Sequence, residues 1–211
     1  MKKYIFALLL VSSLLATTAF ALSNWDILAG SGIIVKQETE EWYRLNDLIL
    51  RQEVVWMAIK VNWQTLPENY SCRWFYQDLT STRPNNWACR AVEIASDIWL
   101  VSRENTTFRP EDRITKAEAL AMLMNAAKMN TGAVSTTTSF TDVTIPWQVN
   151  ITDKALKLGV IDWGATFSPN KDATRWEVFE MAVRIIKPNA ESGPTEWEFD
   201  FQDILDILEG L

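Results

Sequence analysis

The 211 residues carry 20 Lys+Arg against 27 Asp+Glu, a formal net charge of −7, with 48% hydrophobic and 22% charged positions. A chain this apolar is globular rather than disordered, and its acidic balance argues against a nucleic-acid partner, which needs a basic patch. There is no His, so Ser-His-Asp and Cys-His nucleophile pairs and His-ligated zinc are excluded. No cofactor is expected. Chemistry on a pair of carboxylates, as in glycoside hydrolysis, stays open.

Residues 1–21 read as a secretory signal peptide. Lys2-Lys3 is a basic start, Tyr4 to Leu15 is almost wholly apolar, and Ala19-Phe20-Ala21 is a small-x-small cleavage site. An uncleaved anchor is the alternative, but the apolar run is short for a span. No later stretch approaches the roughly 20 apolar residues of a membrane helix. Export puts Cys72 and Cys89 in an oxidising compartment, where a single disulfide is the simplest pairing.

Three segments then lie over one another without gaps, starting at Tyr43, Phe108 and Phe167. Each has an aromatic, a cation eight positions on (Arg51, Lys116, Arg175) and a Glu two further (Glu53, Glu118, Glu177). A period near 60 residues marks a repeat architecture, with copies at 22–72, 73–133 and 134–188. Behind each Glu runs an apolar stripe at i, i+3, i+4, i+7: Leu120, Leu123, Met124, Ala127 in copy two and Phe179, Ala182, Val183, Ile186 in copy three. Copy one has Val55, Ala58, Ile59 and then Asn62. Thr115 with Glu118 and Thr174 with Glu177 are capping boxes, whereas Leu50 leaves copy one without the capping oxygen. Helices are also expected upstream, over Trp87 to Ile98 and over Ile151 to Leu158 with Gly159 as the stop. Each of these two is introduced by an aromatic-x-Asp, Tyr76-Gln77-Asp78 and Phe140-Thr141-Asp142. The unit is helix, loop, capped helix, and three units must pack to bury their apolar faces.

These motifs resemble the S-layer homology (SLH) domain family, in three tandem repeats of which the first is degenerate. The aromatic-x-Asp-aliphatic opening, Phe108-Arg109-Pro110 and Ile114 to Glu118 carry the likeness in copy two, and Gly159-Val160-Ile161 with Thr174 to Glu177 in copy three. Copy one keeps Gly32-Ile33-Ile34, Tyr43-Arg44 and Arg51 to Glu53. The resemblance implies a mainly α fold, three helix-loop-helix repeats in a pseudo-threefold bundle. It also implies a secreted bacterial protein at the cell surface or envelope, holding a cell-wall polysaccharide or peptidoglycan-linked glycan in grooves between repeats. Carried over by position, Arg51, Lys116 and Arg175 are the contacts to an anionic sugar.

A cation at the first helical position opposes the helix dipole, so its threefold recurrence implies an anion nearby, and helix N-termini are natural anion sites. Intramolecular ion pairs or solvated charges are the other reading. As surface charges, Lys116 and Arg175 would change stability by under about 0.5 kcal/mol when truncated. Trp56, Trp87 and Trp147 sit at core spacing. Trp176 either lines a groove or repacks the helix start, and Trp99 and Trp163 fall in loops at groove mouths. The expected function is a non-catalytic envelope-binding module. The alternatives are a carboxylate-based hydrolase of envelope glycans and a structural envelope protein with a protein partner. Copy one has only Ser23 to Ser31 ahead of Gly32, too little for an opening and a full helix. Within 189–211, a linker and terminal segment, Phe201-Gln202-Asp203-Ile204 repeats the opening, so residues 197–211 are expected to complete copy one.

Overall fold

The computed structural model describes residues 23–67, 69–73, 75–79 and 86–187; the signal peptide and the terminal segment 197–211 lie outside the described residues. Six helices run α1 Asn24–Gly30, α2 Arg51–Val61, α3 Asn86–Asp97, α4 Lys116–Ala126, α5 Pro146–Lys157 and α6 Arg175–Ile186, with a 3₁₀ turn at Glu40–Tyr43. No strand forms among the described residues, where β pairing is limited to isolated bridges. The fold is mainly α, as the repeat pattern predicts.

Local chemistry starts the second helix of each copy. Thr115 Oγ1 accepts from Glu118 N–H at 3.3 Å while Glu118 accepts from Thr115 N–H at 3.1 Å. Thr174 and Glu177 do the same at 3.2 and 2.9 Å. Leu50 has no oxygen to offer, yet Glu53 still accepts from its N–H at 2.9 Å, so copy one keeps half the device. The first three positions of each stripe are buried and the fourth is half-buried, and Asn62, the polar exception, donates its side-chain amide to the carbonyl of Ala126 at the end of α4. It answers one of the carbonyls a helix end leaves unpaired. α5 begins five residues earlier than the sequence suggests. Pro146, already fixed near helical φ, takes its first position and loses no hydrogen bond there.

Helices α2, α4 and α6 pack on one another as the centre, and each first helix lies on the second helix of the preceding copy: α3 on α2, α5 on α4, and α1 on α6. The last of these contacts closes the ring. Copy one therefore has its first helix, seven residues long and N-capped by Ser23. Gly32, Trp99 and Gly159 end the three first helices in left-handed conformation, with φ of 69°, 63° and 71°. Glycine enters that region freely, whereas Trp99 does so against steric cost.

At the centre the backbone itself is cyclic. Ile49 N–H donates to Ala173 C=O at 3.0 Å, Ala173 N–H to Ile114 C=O at 2.9 Å, and Ile114 N–H to Ile49 C=O at 3.4 Å. These are equivalent positions in the three copies, all fully buried. Around them, the first amides of each second helix donate to a turn of another copy: Arg51 to Asp112, Lys116 to Lys171 and Arg175 to Asp47, each at 2.9 Å.

Candidate functional site: three grooves between the copies

The aromatic-x-Asp openings build the groove walls. Asp78 accepts from the backbone N–H groups of Phe108 and Arg109 at 2.8 and 2.5 Å, and Asp142 from those of Phe167 and Ser168 at 2.9 and 2.7 Å. Arg109 and Ser168 are thereby held left-handed, at φ 61° and 58°. Burial on its own would raise the Asp142 pKa, but the two amides, with Lys116 nearby, hold it below the usual carboxylate range. The opening rings pack against the turn they pin, Tyr76 edge to face with Phe108 at 6.0 Å and Phe140 tilted against Phe167 at 5.6 Å between centroids. In copy one the equivalent Arg44 is also left-handed, at φ 52°, but its N–H donates to Glu41 C=O at 3.1 Å from the 3₁₀ turn. Its ring, Tyr43, packs on Trp25 of α1 at 6.2 Å.

Each box cation crosses to the next copy's box glutamate. Arg51 pairs with Glu118 at 3.2 Å, Lys116 with Glu177 at 3.3 Å, and Arg175 with Glu53. Every one of these carboxylates divides its oxygens: Oε2 caps its own helix and Oε1 takes the cation. Glu177 shows the electrostatic result. Burial pushes its pKa up, but the Thr174 amide and Lys116 outweigh that and hold it low. The cations also lie over rings, Arg51 on Phe108 at 5.2 Å and Lys116 on Phe167 at 4.8 Å. Arg175 donates its Nε to Tyr43 C=O at 2.8 Å. The anion that the sequence demands beside each cation is thus a neighbouring glutamate, and the first amides of these helices are spent on another copy's carbonyls. The expected cost of under about 0.5 kcal/mol for truncating Lys116 or Arg175 does not hold for side chains this enclosed.

A groove opens beside each pair, and the three differ. Arg51 and Arg109 are the only charged lining of the first, about 300 Å³, where Arg109 is 58% exposed. The Lys116 groove, about 230 Å³, holds Asp162, Glu177 and Glu180 against Lys116 and Arg184. Arg184 is buried and bonds both Asp162 and Glu180, which raises its pKa despite burial. The Arg175 groove, about 340 Å³, is lined mainly by apolar and aromatic side chains, including Trp42, Trp56, Trp87 and Phe179.

The tryptophans sort differently from their spacing. Trp56 and Trp87 do pack, edge to face at 5.9 Å, and also line the Arg175 groove. Trp147 is a correction: it is 46% exposed, because it sits at the second position of α5, ahead of the stripe that faces the core. Trp163 lines the Lys116 groove, as its loop position suggests. Trp99 stands exposed next to Leu100 and Val101, two residues of the Arg51 groove. Trp176 packs one face on Trp25 at 5.9 Å and remains 40% exposed.

A second polar centre escaped the sequence reading. Glu93 of α3, fully buried, accepts from the N–H groups of Arg73 and Phe75 and from the Tyr70 hydroxyl at 3.0 Å. Burial and that hydrogen bond push the Tyr70 pKa up to about 12. Cys72 and Cys89 are joined beside it, Cα atoms 6.0 Å apart, as expected for an exported chain. Nothing in the spacing of residues 70–93 marks Glu93, since two of its donors are the Arg73 and Phe75 backbone amides and the other two, Arg73 Nε and the Tyr70 hydroxyl, lie 20 and 23 residues away.

No family model matches the chain. It is similar to an amylopullulanase of Thermoanaerobacterium thermosulfurigenes, 28% identical over 176 residues, which is 78% of this chain and 9% of that protein. It is also similar to exoglucanase XynX of Acetivibrio thermocellus, 27% identical over 180 residues, 78% of this chain and 16% of the other. The chain thus spans less than a fifth of the length of either relative. No helix among the described residues is long and apolar enough to cross a membrane.

Proposed function

We propose that this chain is a non-catalytic cell-envelope binding module that attaches to an acidic cell-wall glycan through its inter-repeat grooves, on the surface of a bacterium that exports it. The observation that carries this reading is the Arg51 groove. Its lining holds two guanidinium groups and no carboxylate. Arg51, paired with Glu118, stands with Arg109, whose well-exposed guanidinium is 3.7 Å from an equally exposed Asp112, at the wall of a cleft edged by Ser102, Asn105 and Thr107. A sugar acid group finds there a bidentate donor and hydroxyl and amide partners.

The resemblance to the SLH family supports the reading. So does the proportion of each relative that aligns, since a stretch this small beside a long hydrolase suits an appended module. The hydrolase alternative is the weaker one. A glycosidase acid needs a raised pKa, whereas Glu177 is held low and Asp162 and Glu180 are engaged by Arg184. Sedimentation with purified wall sacculi tests the proposal. Wild-type protein should pellet, acid treatment that strips the acidic substituents from the walls should release it, and Arg51→Ala/Arg109→Ala should stay in solution while remaining folded. Release of reducing sugar, or pelleting of the double variant like wild type, would refute it.

A further inference from the structure

Superposed by repeat position, the three grooves have exchanged chemistry at the same places. Where the Lys116 groove has Asp162, Thr166 and Glu180, the Arg175 groove has Val35, Trp42 and Trp56. The Arg51 groove has Ser102 and Thr107 at the first two of these positions. The opening rings, Tyr76 and Phe140, also line the Arg51 and Lys116 grooves, while the Arg175 groove is lined by the loop after α1, the 3₁₀ turn, α2, α6 and Trp87 of α3. Its one cation is cancelled, since Arg175 is ion-paired with Glu53 and hydrogen-bonded to Tyr43 C=O. Lys60 and Arg90 stand over the Trp56 ring at 5.6 and 5.9 Å, and Trp87 meets its edge. That leaves Trp42, 58% exposed on the 3₁₀ turn, to present indole surface at the rim, beside the polar Gln37.

From this divergence we infer that the Arg175 groove is a separate site for an uncharged sugar, whose pyranose ring stacks on Trp42 while its hydroxyls meet Gln37 and Glu53. The inference rests on the reading of the grooves as glycan sites, and it assigns them different ligands: the acidic group to the Arg51 groove, a neutral ring to this one. A groove with no net charge has nothing to offset the desolvation of an anion, and its volume is at the lower end for small-ligand sites. An indole at the rim instead offers a flat apolar face to the C–H face of a sugar, in the manner of aromatic stacking.

Titration of intrinsic fluorescence or calorimetry with triacetylchitotriose, cellotriose and maltotriose tests it. At least one should bind with an affinity nearly independent of salt, because no ion pair forms. Trp42→Ala should weaken it about tenfold, the loss of one stacking contact, and Trp42→Phe should restore most of it. Pelleting with sacculi should be lost in Arg51→Ala/Arg109→Ala. If none of the three sugars binds wild type, or Trp42→Ala binds them equally while Trp42→Phe remains folded, the inference is overturned. Continued Arg51-dependent pelleting in that case leaves the envelope-binding function standing, and loss of pelleting as well removes both. Trp42-dependent self-association in sedimentation velocity would also overturn it, in favour of an interface between copies of this chain.

Discussion

Truncating Arg175 to Ala interrupts the ring of cross-copy ion pairs at the seam where the last copy meets the first. The substitution removes a charge-assisted bond to Glu53 and the Nε–H donated to Tyr43 C=O at 2.8 Å. A hydrogen bond to a charged group contributes about 1.5–3 kcal/mol and a neutral one about 1 kcal/mol. Both side chains of the pair are about a quarter exposed, 24% and 28%, so water recovers part of the loss. The expected cost is about 2 kcal/mol, a fall in Tm of about 4–8 °C for a body of this size. The Arg175→Ala/Glu53→Gln cycle should show coupling of about 1 kcal/mol or more. Glu53→Gln by itself keeps an oxygen for the Leu50 N–H and so isolates the pair. Arg113→Ala is the control: its pair with Asp172 is 3.7 Å apart with side chains 63% and 40% exposed, and should be worth under about 0.5 kcal/mol. Thermal unfolding by circular dichroism measures all four. If Arg175→Ala melts within a degree of Arg113→Ala, or the cycle shows no coupling, the closing pair is ornamental and the reasoning fails.

Glu93→Ala leaves the amides of Arg73 and Phe75 without their shared carboxylate and should cost about 3 kcal/mol; a loss below about 1 kcal/mol in urea unfolding would contradict the staple role. Non-reducing peptide mapping should recover Cys72 and Cys89 in one linked fragment, and reduction in denaturant followed by alkylation should lower stability by about 3 kcal/mol. Asp142 and Glu177 have folded pKa values below their ordinary ones. Their stabilisation is therefore complete above the normal carboxylate range and is lost as pH falls through the depressed values. The melting temperature should hold from neutral pH down to about 5 and drop below about 4. Glu177→Gln should flatten that acid limb, and an unchanged limb would assign it to other groups.

What the sequence made legible was what is local. Thr115 and Glu118 stand three residues apart on one chain, so their reciprocal bonds follow from spacing alone. The left-handed turn at Gly159 is similarly written in one residue. The partner of Arg175 was not legible in this way, because Glu53 lies 122 residues away and meets it only once the copies close into a ring. A trace existed: cation and glutamate recur two positions apart in all three copies, and cyclic order converts that repetition into three crossings. Trp147 misled because helical spacing says which residues share a face, not where the helix begins, and α5 begins at Pro146. The difference between grooves was hidden for a related reason. Val35, Trp42 and Trp56 are scattered along copy one, and only superposition of the grooves shows them replacing Asp162, Thr166 and Glu180.

The closed circuit of backbone bonds through Ile49, Ile114 and Ala173 also sets how the molecule comes apart. In a linear array each unit leans on its neighbours, and an end unit can fray without disturbing the rest. A circle has no end unit. Opening any seam exposes two apolar flanks at once, and the seam between Tyr43 and Arg175 requires contact across 132 residues. Closing a loop of that size costs about 4 kcal/mol of chain entropy, incurred before the final seam returns any stabilisation. Assembly is accordingly slow for a helical protein, and loss of structure is all-or-none. Under mechanical load, such a body gives no graded warning: the three grooves persist together or are lost together.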